Sequence, residues 1–392
     1  MSAQTAITAA RIFDGDLWHY NKALLIESGK VVGIVGGDEI PPTTARKPMD
    51  GARIVPGFVD LQVNGGGGVL LNEQPDLEGI RTICSAHARF GTTALLPTLI
   101  TDTREITIRT IAAGNAAQQA GVAGFLGLHL EGPHLSIARK GAHDPKLIRP
   151  MEADDLARTV EARGKLAALL MTVAPESVTN DQIATLAEAG VTVSLGHSDS
   201  SYATVSAAVS AGARMMTHLF NAMSPLGHRE PGMVGGALDL GHINAGLIAD
   251  GYHVDPVSIG VALRAKKGPG RIFLVTDAMS PIGTDMTSFT LNGREIFRKD
   301  GRLRLADGTL AGADIDMVSC VRFMHERVGL ELEEALRMAS LYPAEAIGMT
   351  GRKGRLTHGH DADFTVLDDR LRVLATYIGG KPVFVAGSES TS

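Results

Sequence analysis

One pattern repeats along the middle of the chain. A continuous apolar run, rich in β-branched residues, gives way to a glycine or polar loop and then to an amphipathic or alanine-rich stretch. The runs are IVPGFVDLQV, TTALLPTL, AGFLGLHLE, LAALLMTVAPE, VTVSLGH, ARMMTH, NAGLIAD and RIFLVTDA. Between them lie segments such as LEGIRTICSAHARFG, DDLARTVEARG, DQIATLAEAG and YATVSAAVSAG, several closed by a helix-stopping glycine. Buried parallel strands are apolar throughout, because helices cover both faces of their sheet. Eight such alternations over about 300 residues predict an α/β fold, a (β/α)8 TIM-like barrel. A doubly wound sheet has the same periodicity and stays the structural alternative.

The two ends follow another rhythm. TAITAARIFDGD and KALLIESGKVVGIVGG near the start, and GRLTHGHDADFTVLD and LRVLATYIGGKPVFVAG near the end, are short β-like pieces separated by turns. They predict a small β-sandwich domain formed by the N- and C-terminal segments, residues 1–54 and 351–392, around a barrel spanning 55–350.

Composition narrows the function classes. A hydrophobic content of 44% in 392 residues supports a large core. The net charge of −6 has no basic block within it, and aromatics make up only 4%, so neither nucleic acid nor a membrane surface is an expected partner. Two cysteines, Cys84 and Cys320, lie too far apart for a thiolate metal site and suit a reducing compartment. The N-terminal MSAQTAITAARIFDG lacks the basic and apolar regions of a secretory signal, and the chain reads as cytoplasmic.

In a barrel, chemistry sits where strands end at the C-terminal face. The polar residues there are Asp60, Gln62 and Asn64 on strand 1, and His129 and Glu131 on strand 3 with His134 just beyond. His197 ends strand 5, His218 strand 6, Asp250 (followed by His253) strand 7 and Asp277 strand 8. A carboxylate and two imidazoles from three strands suffice to hold Zn²⁺ or Fe²⁺ and leave a position for water. A polar barrel mouth without metal is the plainer reading of the same residues. With a metal nearby, Asp277 can move a proton between water and a leaving group; without one, it caps the loop that follows. The NGGGG run, residues 64–68, is followed by no GK[ST] and reads as a flexible turn at the barrel mouth, not a nucleotide loop. His358 and His360 fall in a terminal turn, and His228, beside Arg229, could contact an anion.

Several segments in order, PGFVDLQVNGGGG, LHLEGPH, KGAHDP, SLGHSDSSY, THLFNAMSP, REPGMVG, IADGYHV, LVTDAMSPIG and TLAGADI, resemble the N-acetylglucosamine-6-phosphate deacetylases of the amidohydrolase superfamily. The resemblance runs from about residue 55 to 350, and GRKGRLTHGHDADFTVLD is similar to the superfamily's C-terminal β segment. It implies metal ligands at Glu131, His197 and His218, a catalytic Asp277, and His143 as the group polarising an acetyl carbonyl. It implies sugar and phosphate contacts at Ala142, Asn221, Ala222, Arg229, His253, Leu310, Ala311, Gly312 and Ala313, with Arg229 near a dimer interface and hence a homodimer. The substrate implied is a small phosphorylated amino sugar, and the cofactor one divalent ion per subunit, Zn²⁺ before Fe²⁺.

One departure bears on the metal count. Many superfamily relatives carry His-x-His on strand 1 to hold a second ion; here the position reads Gln62-Val63-Asn64. Amides are poor Zn²⁺ ligands beside imidazole or carboxylate, and strand 4 has no lysine near its end, so one tight ion is expected. Nothing in the sequence separates the glucosamine from the galactosamine epimer. A cyclic-amide hydrolase, a non-catalytic barrel and a phosphosugar aldolase or isomerase fit less well. The last would want a lysine or acid/base pair at a strand end.

Overall fold

A computed structural model describes residues 4–387. Eight parallel strands, Phe58–Val63, Thr92–Ile100, Gly127–Glu131, Ala168–Val173, Thr192–Leu195, Met215–Met216, Asn244–Leu247 and Ile272–Leu274, neighbour one another in chain order. The ring closes where the eighth strand meets the first. Asp277 N–H donates to the Gln62 carbonyl (2.9 Å), Asn64 N–H to the Ala278 carbonyl (2.9 Å), and Val63 bridges Ala278 in parallel. Closure decides for the barrel over the doubly wound sheet.

The reason is legible in the residues. Phe58–Val63, Thr92–Ile100 and Ala168–Val173 are buried along their whole length, as strands sandwiched between helices and the barrel interior must be. The intervening helices start on side-chain caps: Asp76, Thr103, Thr179, Ser201 and Asp255 each accept a backbone N–H from the first turn. A cap removed to alanine costs about 1 kcal/mol of helix stability.

Both ends of the chain contribute to one small β domain. Its seven strands run in the order Lys381–Val385, Val373–Ile378, Phe364–Leu367, Ala45–Pro56, Thr5–Phe13, Trp18–Glu27 and Lys30–Val35. The two ends meet where Phe364–Leu367 pairs antiparallel with Ala45–Pro56. Its core gathers Ile7, Ile12, Leu24 and Ile54 around Phe364, whose ring stacks on Tyr377 at 4.4 Å between centroids.

A second, unforeseen element follows the eighth barrel strand. Four antiparallel strands, Ser288–Leu291, Arg294–Lys299, Arg302–Arg304 and Leu310–Ala313, form a sheet whose Phe289, Leu291, Ile296 and Ala311 pack on Leu70, Ile100 and Met279 at the barrel mouth. Arg298 pins it, donating to the Thr284 carbonyl and to Asp314 Oδ2, both at 2.7 Å. The glycine run folds as a hydrogen-bonded hairpin at the mouth rather than a loose turn. Gly65–Gly66 pairs with Val69–Leu70, and the N–H groups of Gly67 and Gly68 donate to Ile282 and Ser280. A Cβ at Gly65 would stand 2.3 Å from the Val69 carbonyl oxygen. Among the described residues no helix is long and apolar enough to cross a membrane.

Candidate active site

Three strand ends reverse sharply. His197, His218 and Asp277 all adopt left-handed backbone, at φ 48°, 30° and 51°. A residue other than glycine held there costs about 1–3 kcal/mol, so the surrounding structure must enforce it. The effect is to turn all three side chains into one place.

That place is a cavity of about 250 Å³, lined among others by Glu131, His143, His197, His218 and Asp277. Glu131 Oε1 lies 3.0 Å from His197 Nε2 and 3.2 Å from His218 Nε2, and the two ring nitrogens are 3.0 Å apart. His197 donates from Nδ1 to the Arg139 carbonyl at 2.9 Å, which leaves its Nε2 lone pair facing the carboxylate. Three electron-pair donors this close repel one another unless a proton or a cation lies among them. Burial opposes the charge on His218, but the hydrogen bond and negative charge of Glu131 outweigh it and raise its pKa. Burial alone would raise Glu131; the two imidazoles beside it, His197 and His218, instead hold it well below the usual carboxylate range. Oxygen and imidazole donors from three strands fit a single divalent ion. The Nδ1 of His218 is buried with no hydrogen-bond partner among the described residues, so the opposite edge of that ring is not tied down as in His197.

A possible ligand cluster also groups Glu131 and His197 with His143, their donor atoms all within 4.8 Å. His143 nevertheless has its Nδ1 engaged by Thr101, the backbone N–H at 3.3 Å and the hydroxyl at 2.8 Å, and its ring packs edge-on against His197 at 4.4 Å. Burial, aided by His197, pushes its pKa well below that of an ordinary histidine.

Asp277 faces this cluster. Its Oδ1 accepts from Asn64 Nδ2 at 2.7 Å and from Gln62 Nε2 at 3.2 Å, while Gln62 Nε2 also reaches Glu131 Oε2 at 3.1 Å. The two amides therefore present N–H groups to carboxylates where a second cation would need lone pairs. Burial and then the charge of Glu131 raise the Asp277 pKa to about 6. Below it, Asp60 ties the first strand to the eighth. Its Oδ2 accepts from the Thr276 hydroxyl at 2.5 Å, and burial lifts its pKa to about 7.

The other expected residues divide. Ala142, Asn221, Ala222, Leu310, Ala311 and Gly312 line the same cavity, as does His253, whose Nδ1 is held by Asp250 Oδ2 at 2.6 Å. Ala313 sits behind it, donating its N–H to the Asp277 carbonyl. Arg229 and His228 are exposed and outside this cavity. His129 lies under the site in a buried polar chain running through Thr172 (2.8 Å) and Thr217 (2.6 Å from Thr172) to Ser194 (2.7 Å from Thr217), and burial lowers its pKa to about 4. His134 bonds the Arg149 carbonyl, and exposed His358 the Val32 carbonyl. Thr101 had no place in the sequence reading. Its only signal was a polar residue directly after a nine-residue buried strand.

A closed parallel barrel with such a donor cluster and a hydrogen-bonded carboxylate at its strand ends has the architecture of a barrel hydrolase. The chain belongs to the amidohydrolase family, whose sequence model matches residues 53–385. It is 44% identical over 346 residues to an N-acetylgalactosamine-6-phosphate deacetylase of Shewanella sp. (strain ANA-3), covering 88% of this chain and 87% of that one. It is 39% identical over 353 residues to an N-acetylglucosamine-6-phosphate deacetylase of Bos taurus, covering 86% and 85%. The crystal structure of N-acetylglucosamine-6-phosphate deacetylase from Pasteurella multocida superposes with a TM-score of 0.93 at 33% identity, over 97% of this chain and 99% of that one.

Proposed function

We propose that this protein hydrolyses N-acetyl-D-glucosamine 6-phosphate to D-glucosamine 6-phosphate and acetate. The observation that carries the chemistry is the placement of Asp277, held by two amides, against the Glu131–His197–His218 cluster in one cavity. The substrate class rests on the similarity to named deacetylases over most of the chain.

Glu131, His197 and His218 would hold one divalent ion, Zn²⁺ before Fe²⁺, by their hard and borderline donors. The ion supplies Lewis acidity, which makes hydroxide available near neutral pH and polarises an amide carbonyl. Asp277 takes the proton from water through the oxygen that the amides leave free. It then returns that proton to the amine. Proton return is essential because an amide anion is a very poor leaving group. His143 donates to the carbonyl oxygen, an electrophilic contact that counts most in the transition state. His253, oriented by Asp250, faces the phosphate end. Arg229 complements it in a homodimer, each subunit's guanidinium serving its neighbour's site, which accounts for its position outside this cavity. Phosphate binding remote from the scissile bond orients the acetamide. Cys84 and Cys320, both buried and free, agree with work in the cytoplasm.

The galactosamine epimer is the second reading, favoured by the Shewanella relative. The deciding experiment is acetate release from the 6-phosphates of both N-acetylhexosamines and from unphosphorylated N-acetylglucosamine. The reading expects the highest kcat/KM with N-acetylglucosamine 6-phosphate. Preference for the galactosamine phosphate would reverse the epimer, and equal rates without phosphate would remove the anion site.

A further inference from the structure

The second barrel strand ends at Ile100, and the next residue, Thr101, is fully buried. Its backbone N–H donates to Nδ1 of His143 at 3.3 Å, and its hydroxyl lies 2.8 Å from the same nitrogen. A backbone N–H can only donate, so Nδ1 is the unprotonated nitrogen of this ring. The proton of the imidazole then sits on Nε2, the nitrogen left for the cavity that His143 lines. The arrangement needs space beside the glutamate of the cluster. A Cβ at Gly132 would stand 2.3 Å from the Thr101 hydroxyl oxygen, and Gly132 has a φ of +89° that disfavours any side chain.

We propose that Thr101 is a positioning residue that fixes His143 in its Nε2–H tautomer, so that the ring meets the substrate as a hydrogen-bond donor and is withheld from the metal. A nitrogen that carries a proton has no lone pair to give a cation. His143 therefore stands apart from the ligands Glu131, His197 and His218, although its ring packs against one of them. The same proton is what an acyl oxygen gaining negative charge requires. The part played toward substrate rests on the deacetylase reading; the tautomer rests on Thr101 alone.

The test uses zinc-loaded protein labelled with ¹⁵N in histidine, with His143 assigned by difference from a His143→Gln spectrum. Wild type should show His143 protonated at Nε2 and bare at Nδ1. Thr101→Val keeps the shape and the 3.3 Å backbone donor but loses the closer hydroxyl at 2.8 Å, which weakens the hold on Nδ1. It should mix the tautomers and lower kcat by about ten- to a hundredfold at similar KM and metal content. Thr101→Ser should restore both. The wild-type spectrum stands as a test even if Thr101→Val fails to fold. A wild type protonated at Nδ1, or a Thr101→Val protein with unchanged spectrum and kcat, overturns the proposal. An Nε2–H signature in a protein that releases no acetate from phosphorylated amino sugars would sink the deacetylase reading and leave Thr101's hold on the tautomer standing.

Discussion

Asn64 donates its side-chain N–H to Oδ1 of Asp277 at 2.7 Å, and this bond defines what strand 1 does in this barrel. With Gln62 reaching the same oxygen, one oxygen of the Asp277 carboxylate is fixed by two amides and the other is not. The pair of amides thus holds Asp277 by one oxygen of its carboxylate.

Removing that holder should cost turnover and not metal. Asn64→Ala and Gln62→Ala are each expected to lower kcat by about ten- to a hundredfold, the usual effect of losing an orienting hydrogen bond. Metal analysis of the purified variants beside steady-state rates checks this. Loss of the ion in Asn64→Ala would place Asn64 among the ligands instead.

Asp277→Asn keeps the shape and removes the base. Its kcat should fall by about 10²–10⁴-fold with metal content unchanged. Near-normal turnover would take Asp277 out of the mechanism.

Metal binding should release protons in a pH-dependent way. In the metal-free site Asp277 has its pKa raised to about 6 and that of His218 is raised as well, so both retain protons in mildly acidic solution. A cation favours the deprotonated form of each. Calorimetric titration of chelator-stripped protein with Zn²⁺, in buffers of different ionisation enthalpy, should find more protons released per ion at about pH 5.5 than at about pH 8. Equal release at both would contradict the assigned shifts.

Asp60 carries a stability prediction of definite sign. Burial raises its pKa from 3.8 to about 7 in the folded protein. Between those values the folded state holds a proton that the unfolded chain has released, so this group makes stability fall as pH rises through the window, levelling off above about 7. Asp60→Asn removes the titration. Relative to wild type, its urea midpoint should therefore improve between about pH 5 and about pH 8. An unchanged difference across that range would show that Asp60 is ionised throughout.

Much of this was legible in the sequence, for physical reasons. Parallel strands buried on both sides must be apolar along their length, which exposed the barrel, and polar residues interrupting those runs at their ends stood out as Glu131, His197, His218 and Asp277. The barrel-mouth sheet went unread although it left a signal: Asn292-Gly293, Asp300-Gly301 and Asp307-Gly308 punctuate alternating strands, and the first two pairs adopt the left-handed turn conformation that such dipeptides favour. Relations across the barrel were out of reach. Asp60 and Thr276, or Thr101 and His143, are joined only by closure of the ring and by a loop folding back, and neither leaves a mark in local pattern. Arg229 is a similar case: that it lies outside the cavity leaves no mark in spacing.

The account's central claim is one metal ion held by Glu131, His197 and His218. Anomalous diffraction from zinc-loaded crystals tests it most directly. It should show one peak per chain, about 2.0–2.2 Å from Glu131 Oε1 and from Nε2 of His197 and His218, with His143 outside the coordination sphere. A peak coordinated by His143 in place of His218, or a second peak between Gln62 and Asn64, would contradict it.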